Sequence, residues 1–229
     1  MRLLFDRSKY QLVISALLFD LDGTLIDTDE LHLNAYNQLL ARWDRSMDIS
    51  YYKANVMGFP DDMIFGGLFP DMPVAQYAAL AAEKETMFRA QLGETHPVPG
   101  VLRILDYADA ARISVAVVTN APRENAAAML SGMGIADRFD TLVIGGELAR
   151  GKPHPMPYLT ALEILGVEAG DAIAFEDSLA GVQSASAAGI HTFGMLAGLQ
   201  ENQLREAGAQ SIIRDFNDAA LWDWIKPVS

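Results

Sequence analysis

The sequence contains no cysteine. That excludes disulfides, thiolate metal sites and a cysteine nucleophile, and it is compatible with a reducing compartment. Basic residues are scarce: 17 Lys and Arg stand against 30 Asp and Glu, for a formal charge of −13. Such a chain offers no basic stripe to displace counterions from phosphates, which argues against nucleic acid as a partner. An anionic membrane surface would repel it for the same reason. Long apolar runs are also missing. The stretch that ends at Asp20 falls well short of the roughly 18–20 residues a membrane span needs. The opening MRLLFDRSKYQLVIS scatters charges among its apolar residues, so no secretory h-region is read there. A cytoplasmic protein with no membrane partner is the expectation.

What the chain does have is 51% hydrophobic against 21% charged residues, the balance of a packed domain rather than a disordered one. Short apolar runs rich in Val, Ile and Leu recur at Leu12–Phe19, Ile113–Val118, Thr141–Ile144, Ala172–Phe175, Ile190–Gly194 and Ser211–Ile213. Gly, Asp, Asn or Pro bound them, as expected of strands buried on both faces. Between them lie helical patterns at Val101–Ala111, Pro122–Met133, Pro155–Leu165 and Leu179–Ala188. Pro122 and Pro155 suit helix starts, and Gly134, Gly166 and Gly189 suit helix ends. This alternation predicts an α/β fold, a parallel sheet with helices on both faces. Residues 28–96 interrupt it, with helical periodicity in Glu30–Trp43 and Val74–Leu92 and no clear strand. The expected organisation is a core of residues 1–27 and 97–229 with a helical insert of residues 28–96.

Polar clusters fall at the strand ends. Asp20-Leu21-Asp22-Gly23-Thr24 follows the first run directly, where open α/β sheets bind their ligands. Two carboxylates so close repel, so a cation or a shared proton is expected between them. A calcium loop is disfavoured, because Gly23 comes two positions early and Leu31 stands where the bidentate Glu would be. Thr119-Asn120 ends the second run just before a helix start, a place that favours phosphate. Glu176-Asp177-Ser178 ends another run with a second acidic pair, of the kind that completes a hard-cation site. Gly151-Lys152-Pro153 holds a cation on a rigid turn between them. The segment Gly146–Lys152 satisfies part of a phosphate-binding loop, but Pro153 replaces the Ser or Thr that such a loop needs for magnesium.

Taken together, Phe19–Leu25 (FDLDGTL), Thr119-Asn120, Lys152-Pro153 and Glu176-Asp177-Ser178 resemble the four motifs of the haloacid dehalogenase superfamily, in the branch with a helical cap after the first strand. The resemblance runs from about Val13 to Ile213 and implies a Rossmann-like three-layer core. It implies Asp20 as nucleophile and Asp22 as acid/base. Thr119, the backbone at Asn120, Lys152 and Gly23 would hold the phosphoryl group. Mg²⁺ would be held by Asp20, the backbone carbonyl of Asp22, Asp177 and Glu176. Asp22 also selects phosphate-ester chemistry, because dehalogenase-like members lack this aspartate and phosphonatase-like members carry a small residue there.

In the insert, His32 and Lys84 resemble cap residues near the acid/base and the substrate. The loop Met57–Asp62, with Gly58, Phe59 and Asp61, resembles the segment that reads the leaving group. Its acidity argues against gripping a second phosphate and suggests a leaving group with hydroxyls or positive charge. The expected protein is a Mg²⁺-dependent phosphatase of a small phosphorylated metabolite, monomer or homodimer. The alternatives are a phosphomutase like beta-phosphoglucomutase or a non-catalytic binding protein on the same fold.

Overall fold

A computed structural model describes residues 14–57, 61–93 and 95–225, with the backbone alone for Asp61 and Asp62. The N-terminal part of the first expected strand, Leu12 and Val13, lies outside these, as do Gly58 and Phe59. Among the described residues, six parallel strands form one sheet: β1 (Ala16–Phe19), β2 (Ser114–Thr119), β3 (Thr141–Ile144), β4 (Ala172–Glu176), β5 (His191–Met195) and β6 (Ser211–Ile213). Their order is β3-β2-β1-β4-β5-β6. The chain therefore winds outward from β1 in both directions, and β1 with its neighbours β2 and β4 marks the switch point where such sheets carry their sites.

Strand periodicity assigns the two faces. Leu17 and Phe19 point to one side, where they meet Ile104 and Leu105 of α5 (Val101–Ala111), Met129 of α6 (Arg123–Gly132) and Leu221 of α10 (Ala219–Ile225). Ala16 and Leu18 point to the other, against Tyr158 and Ala161 of α7 (Met156–Leu165) and Ala185 of α8 (Leu179–Ala187). The last helix on this edge is α9 (Glu201–Ala207), whose Leu204 packs on Val182. Phe19, Phe175 and Phe193 sit side by side across β1, β4 and β5, with ring centroids 5.0 and 5.4 Å apart. Their stacking pins the register close to the carboxyl ends of the three strands.

Among the described residues, four α-helices occupy the segment between β1 and α5. They are α1 (Asp29–Leu40), α2 (Ile49–Asn55), α3 (Asp61–Leu68) and α4 (Tyr77–Gln91), and they share a core of their own around Tyr36, Leu39, Tyr52, Phe65 and Leu80. The sequence shows helical periodicity only on either side of the middle of this segment, in which Met57–Asp62 reads as a loop, yet the middle holds α2 and α3. Both are short, and the buried Tyr52, Ile64 and Phe65 stabilise them through tertiary packing rather than local propensity. The two chain crossings into this segment lie side by side, since Val98 N donates to Leu25 O at 2.8 Å. Among the described residues no helix is long and apolar enough to cross a membrane.

Candidate active site

The backbone brings the sequence's acidic pairs together by register alone. Phe19 is level with Phe175, so Asp20 leaves β1 beside Glu176 leaving β4, and Asp20 N donates to Phe175 O at 3.0 Å. After Asp20 the chain turns tightly, with Leu21 O accepting from the amides of Thr24, Leu25 and Ile26. Gly23 makes this turn at φ +78, and a Cβ there would lie 2.0 Å from Asp177 Oδ2. Glycine is required on both counts. Across the gap, Ser178 caps α8 by accepting from Gly181 N at 3.0 Å. Gly181 leaves the space that the Glu176 carboxylate fills.

Lys152 is the hub. Its ammonium donates to Asp20 Oδ1 and, at 2.5 Å, to Glu176 Oε1. Tyr158 OH donates to the same Glu176 oxygen at 2.5 Å. Burial works against the Lys152 charge, but Asp20 and Glu176 more than offset it and hold the ammonium above the ordinary lysine value. Burial pushes the Asp20 carboxyl up to about 7 despite the pull of Lys152, with Glu176 and Asp22 adding to the rise. Asp177 is raised well above the usual range by burial and by the charges of Asp20 and Glu176. Burial and the Glu176 charge raise Tyr158 likewise, so its phenol stays a donor.

Asp20, Glu176 and Asp177 each offer an oxygen within 4.8 Å of the others. Two buried carboxylates and a half-buried third stand around one ammonium, and among the described residues Glu176 Oε2 is buried with no hydrogen-bond partner. An all-oxygen, over-negative, partly orphaned donor set is what a hard divalent cation takes, so the residues present fit Mg²⁺.

Thr119 ends β2 buried, its hydroxyl accepting from Ala121 N at 3.0 Å. Asn120 does more than the sequence suggests, because its side chain holds both backbone polar groups of Lys152. Beside the acidic cluster, a cavity of about 330 Å³ opens between Gly23, Asp27, Met57, His96, Asp177 and Arg214.

The profile of haloacid dehalogenase-like hydrolases matches residues 17–195, most of the chain and all of the strand ends just described. The chain belongs to this family. Among similar proteins, a phosphorylated carbohydrates phosphatase of Thermotoga maritima is 30% identical, over 88% of this chain and 94% of its own length. Validoxylamine A 7'-phosphate phosphatase of Streptomyces hygroscopicus subsp. limoneus is 32% identical, over 92% and 97%. Among solved structures, CbbY of Rhodobacter sphaeroides in complex with xylulose-(1,5)bisphosphate superposes with a TM-score of 0.75. It is 29% identical, with 90% of this chain and 96% of that one covered. A putative beta-phosphoglucomutase of Thermotoga maritima gives 0.74 at 27% identity, over 93% and 100%.

In this hydrolase the second aspartate leans toward the cap. Asp22 Oδ1 accepts from Thr28 Oγ1 at 2.6 Å and lies 3.6 Å from His32 Nε2. Burial opposes ionisation of Asp22, yet the His32 and Thr28 contacts outweigh it and hold the carboxyl below its ordinary value. His32 stacks on Phe88, ring centroids 4.0 Å apart. Lys84 is only 4% exposed, with its ammonium 2.8 Å from His32 Nδ1, 2.7 Å from Glu85 Oε1 and over the Tyr36 ring. Asp61 starts α3, and its side chain, with Gly58 and Phe59, lies outside the described residues.

Sequence reasoning did not pick out Tyr158, Thr28, Glu85 or Asn125. Tyr158 and Glu85 look like ordinary helix residues, and only Thr28, at the head of α1, carries a local signal as a helix cap.

Proposed function

We propose that the chain is a Mg²⁺-dependent phosphate monoester hydrolase acting on a small phosphorylated metabolite, with residues 28–96 as its cap. The observation that carries this reading is Lys152 shared between Asp20 and Glu176 at the floor of a three-carboxylate cluster. Asp20, Glu176, Asp177 and the carbonyl of Asp22 would hold the ion. When bound, Mg²⁺ supplies the positive charge that lets a carboxylate approach a phosphate dianion.

The chain's own residues do the rest. Asp20 Oδ attacks phosphorus, and the bond from phosphorus to the ester oxygen breaks. Asp22 gives its proton to that oxygen, releasing the alcohol and leaving phosphate on Asp20 as an acyl phosphate. Water then attacks phosphorus, Asp22 takes its proton, and the bond to Asp20 breaks to release inorganic phosphate. Lys152, the Thr119 hydroxyl and the amide at Asn120 stabilise the transferring group, whereas the Gly23 amide is taken up within the turn, donating to Ile26 O at 2.7 Å. The Asp22 contacts to Thr28 and His32 favour its ionised form, which suits the second, base step. Its acid step requires substrate to loosen them.

The relatives named as phosphatases support the hydrolase assignment. The neighbours named beta-phosphoglucomutase favour one competitor, transfer back to substrate instead of to water. Phosphate release from a panel of phosphorylated sugars, polyols and acids, with and without Mg²⁺, separates the two. Hydrolysis that needs Mg²⁺ and vanishes in Asp20→Asn supports the proposal. Isomerisation driven by catalytic bisphosphate and faster than phosphate release identifies a mutase. No turnover of any ester identifies a binding protein.

A further inference from the structure

Asn125 stands on α6, in the core, and is 1% exposed. Its side chain lies between two residues of the cap helix α4. Arg89 Nη1 donates to Asn125 Oδ1 at 2.7 Å, and Asn125 Nδ2 donates to Glu85 Oε2. The other Glu85 oxygen accepts from Lys84 Nζ at 2.7 Å, Lys84 Nζ lies 2.8 Å from His32 Nδ1, and His32 Nε2 lies 3.6 Å from Asp22 Oδ1. A polar chain thus runs from a core helix through the cap, its last member His32 coming within 3.6 Å of the acid/base.

Donor and acceptor chemistry leaves it one direction. A guanidinium only donates, so the amide oxygen of Asn125 must face Arg89 and its NH₂ must face Glu85. A carboxylate only accepts, so Glu85 takes a proton bond from each side. An ammonium only donates, so His32 Nδ1 is an acceptor, and the ring proton sits on Nε2, toward Asp22. Stacking on Phe88 holds the ring plane.

We infer that Asn125 is a positioning residue: from the core, through Glu85 and Lys84, it holds the His32 tautomer whose Nε2–H orients the Asp22 carboxyl. This rests on the acid/base role proposed for Asp22. Asn125 touches neither substrate nor ion, so its loss should spare attack by Asp20 and burden the proton transfers.

Two measurements test this. In Asn125→Ala, turnover of an alkyl phosphate should fall about tenfold relative to p-nitrophenyl phosphate, whose leaving group needs little protonation. In a His32→Gln background the same substitution should cost less than about twofold, because the chain is already cut. Equal losses on both esters, or the same loss in both backgrounds, would mean a merely structural asparagine. The second measurement does not depend on turnover. Imidazole ¹⁵N spectra of histidine-labelled protein, with His32→Gln assigning the signal, should show the Nε2–H form in the wild type. Asn125→Ala should show a mixture of tautomers, and an unchanged spectrum overturns the inference. Should Asn125→Ala fail to fold, Glu85→Gln serves both measurements, since an amide there cannot accept from both neighbours. If the wild type hydrolyses no ester, the phosphatase reading falls, and the nitrogen spectra still decide the hydrogen-bond chain.

Discussion

Asn120 grips Lys152 by its backbone: Oδ1 accepts from Lys152 N at 3.1 Å, and Nδ2 donates to Lys152 O at 3.2 Å. The side chain fits against Gly145 and Gly151, where a Cβ at either position would lie within 2.8 Å of Asn120 Oδ1. The lysine at the centre of the site is thus aimed by a residue at the end of β2, the strand next to the one that leads into its own loop. Asn120→Ala keeps every charge in the cluster and removes only this clasp. Each bond is worth about 0.5–1.5 kcal/mol, so a thermal melt should show a small loss of stability. Steady-state kinetics should show kcat down about tenfold or more, as expected when a reacting charge is misplaced by about 1 Å. Asn120→Asp, which can still accept from Lys152 N but cannot donate to its carbonyl, should fall between.

Gly23 separates fold from site. Its positive φ and its contact with Asp177 exclude a side chain. In Gly23→Ala the turn should cost about 1–2 kcal/mol, and the Cβ should drive the Asp177 carboxylate out of the cluster. The expected result is a folded protein whose melting temperature no longer responds to Mg²⁺. A Mg²⁺ response equal to the wild type would show that Asp177 is not needed for the ion.

The raised carboxyls of Asp20 and Asp177 set a pH dependence for the metal-free chain. An acid raised on folding leaves the native state holding more protons than the unfolded one, so stability falls as pH rises through that interval. For Asp20 the interval runs from 3.8 to about 7. Asp177 shifts in the same direction. In chelator the melting temperature should therefore drop between pH 5 and pH 8 in excess of the change seen for the double variant Asp20→Asn, Asp177→Asn. Mg²⁺, which takes the ionised form, should raise the melting temperature more at pH 8 than at pH 5. A Mg²⁺ shift of equal size at both values would contradict the coupling.

Much of the core could be read directly from the residues. The runs at Thr141–Ile144 and Ser211–Ile213 coincide with β3 and β6, and the helix Val101–Ala111 with α5. They are legible because a buried parallel strand is continuously apolar and is bounded by residues that cannot continue it. Where length was short and pattern mixed, the reading failed. Helices α2, α9 and α10 have seven residues each and α3 has eight, too few for local propensity to show without the partners they pack against.

The site divides in the same way. Asp20, Asp22, Glu176 and Asp177 were visible because each directly follows an apolar strand, and chain order alone puts them at one sheet edge. Lys152 and His32 also stood out as candidates, but the contacts that tie these groups together were not visible. Lys152 meets Asp20 across 132 residues, and Tyr158 reaches Glu176 only because α7 packs on the sheet against β3, β2 and β1. Asn125, Glu85 and His32 lie on three different helices and meet only when cap and core are docked.

By itself, then, the sequence determined which side chains are candidates for the chemistry and at which end of the sheet they stand, since both follow from local hydrophobic period and from what ends each strand. Only the tertiary structure decided who holds whom. Hydrogen-bond partners depend on register across β1 and β4 and on the seating of α4 against α6, and burial then sets the charge of each group. Those are long-range quantities, and no local pattern of residues encodes them.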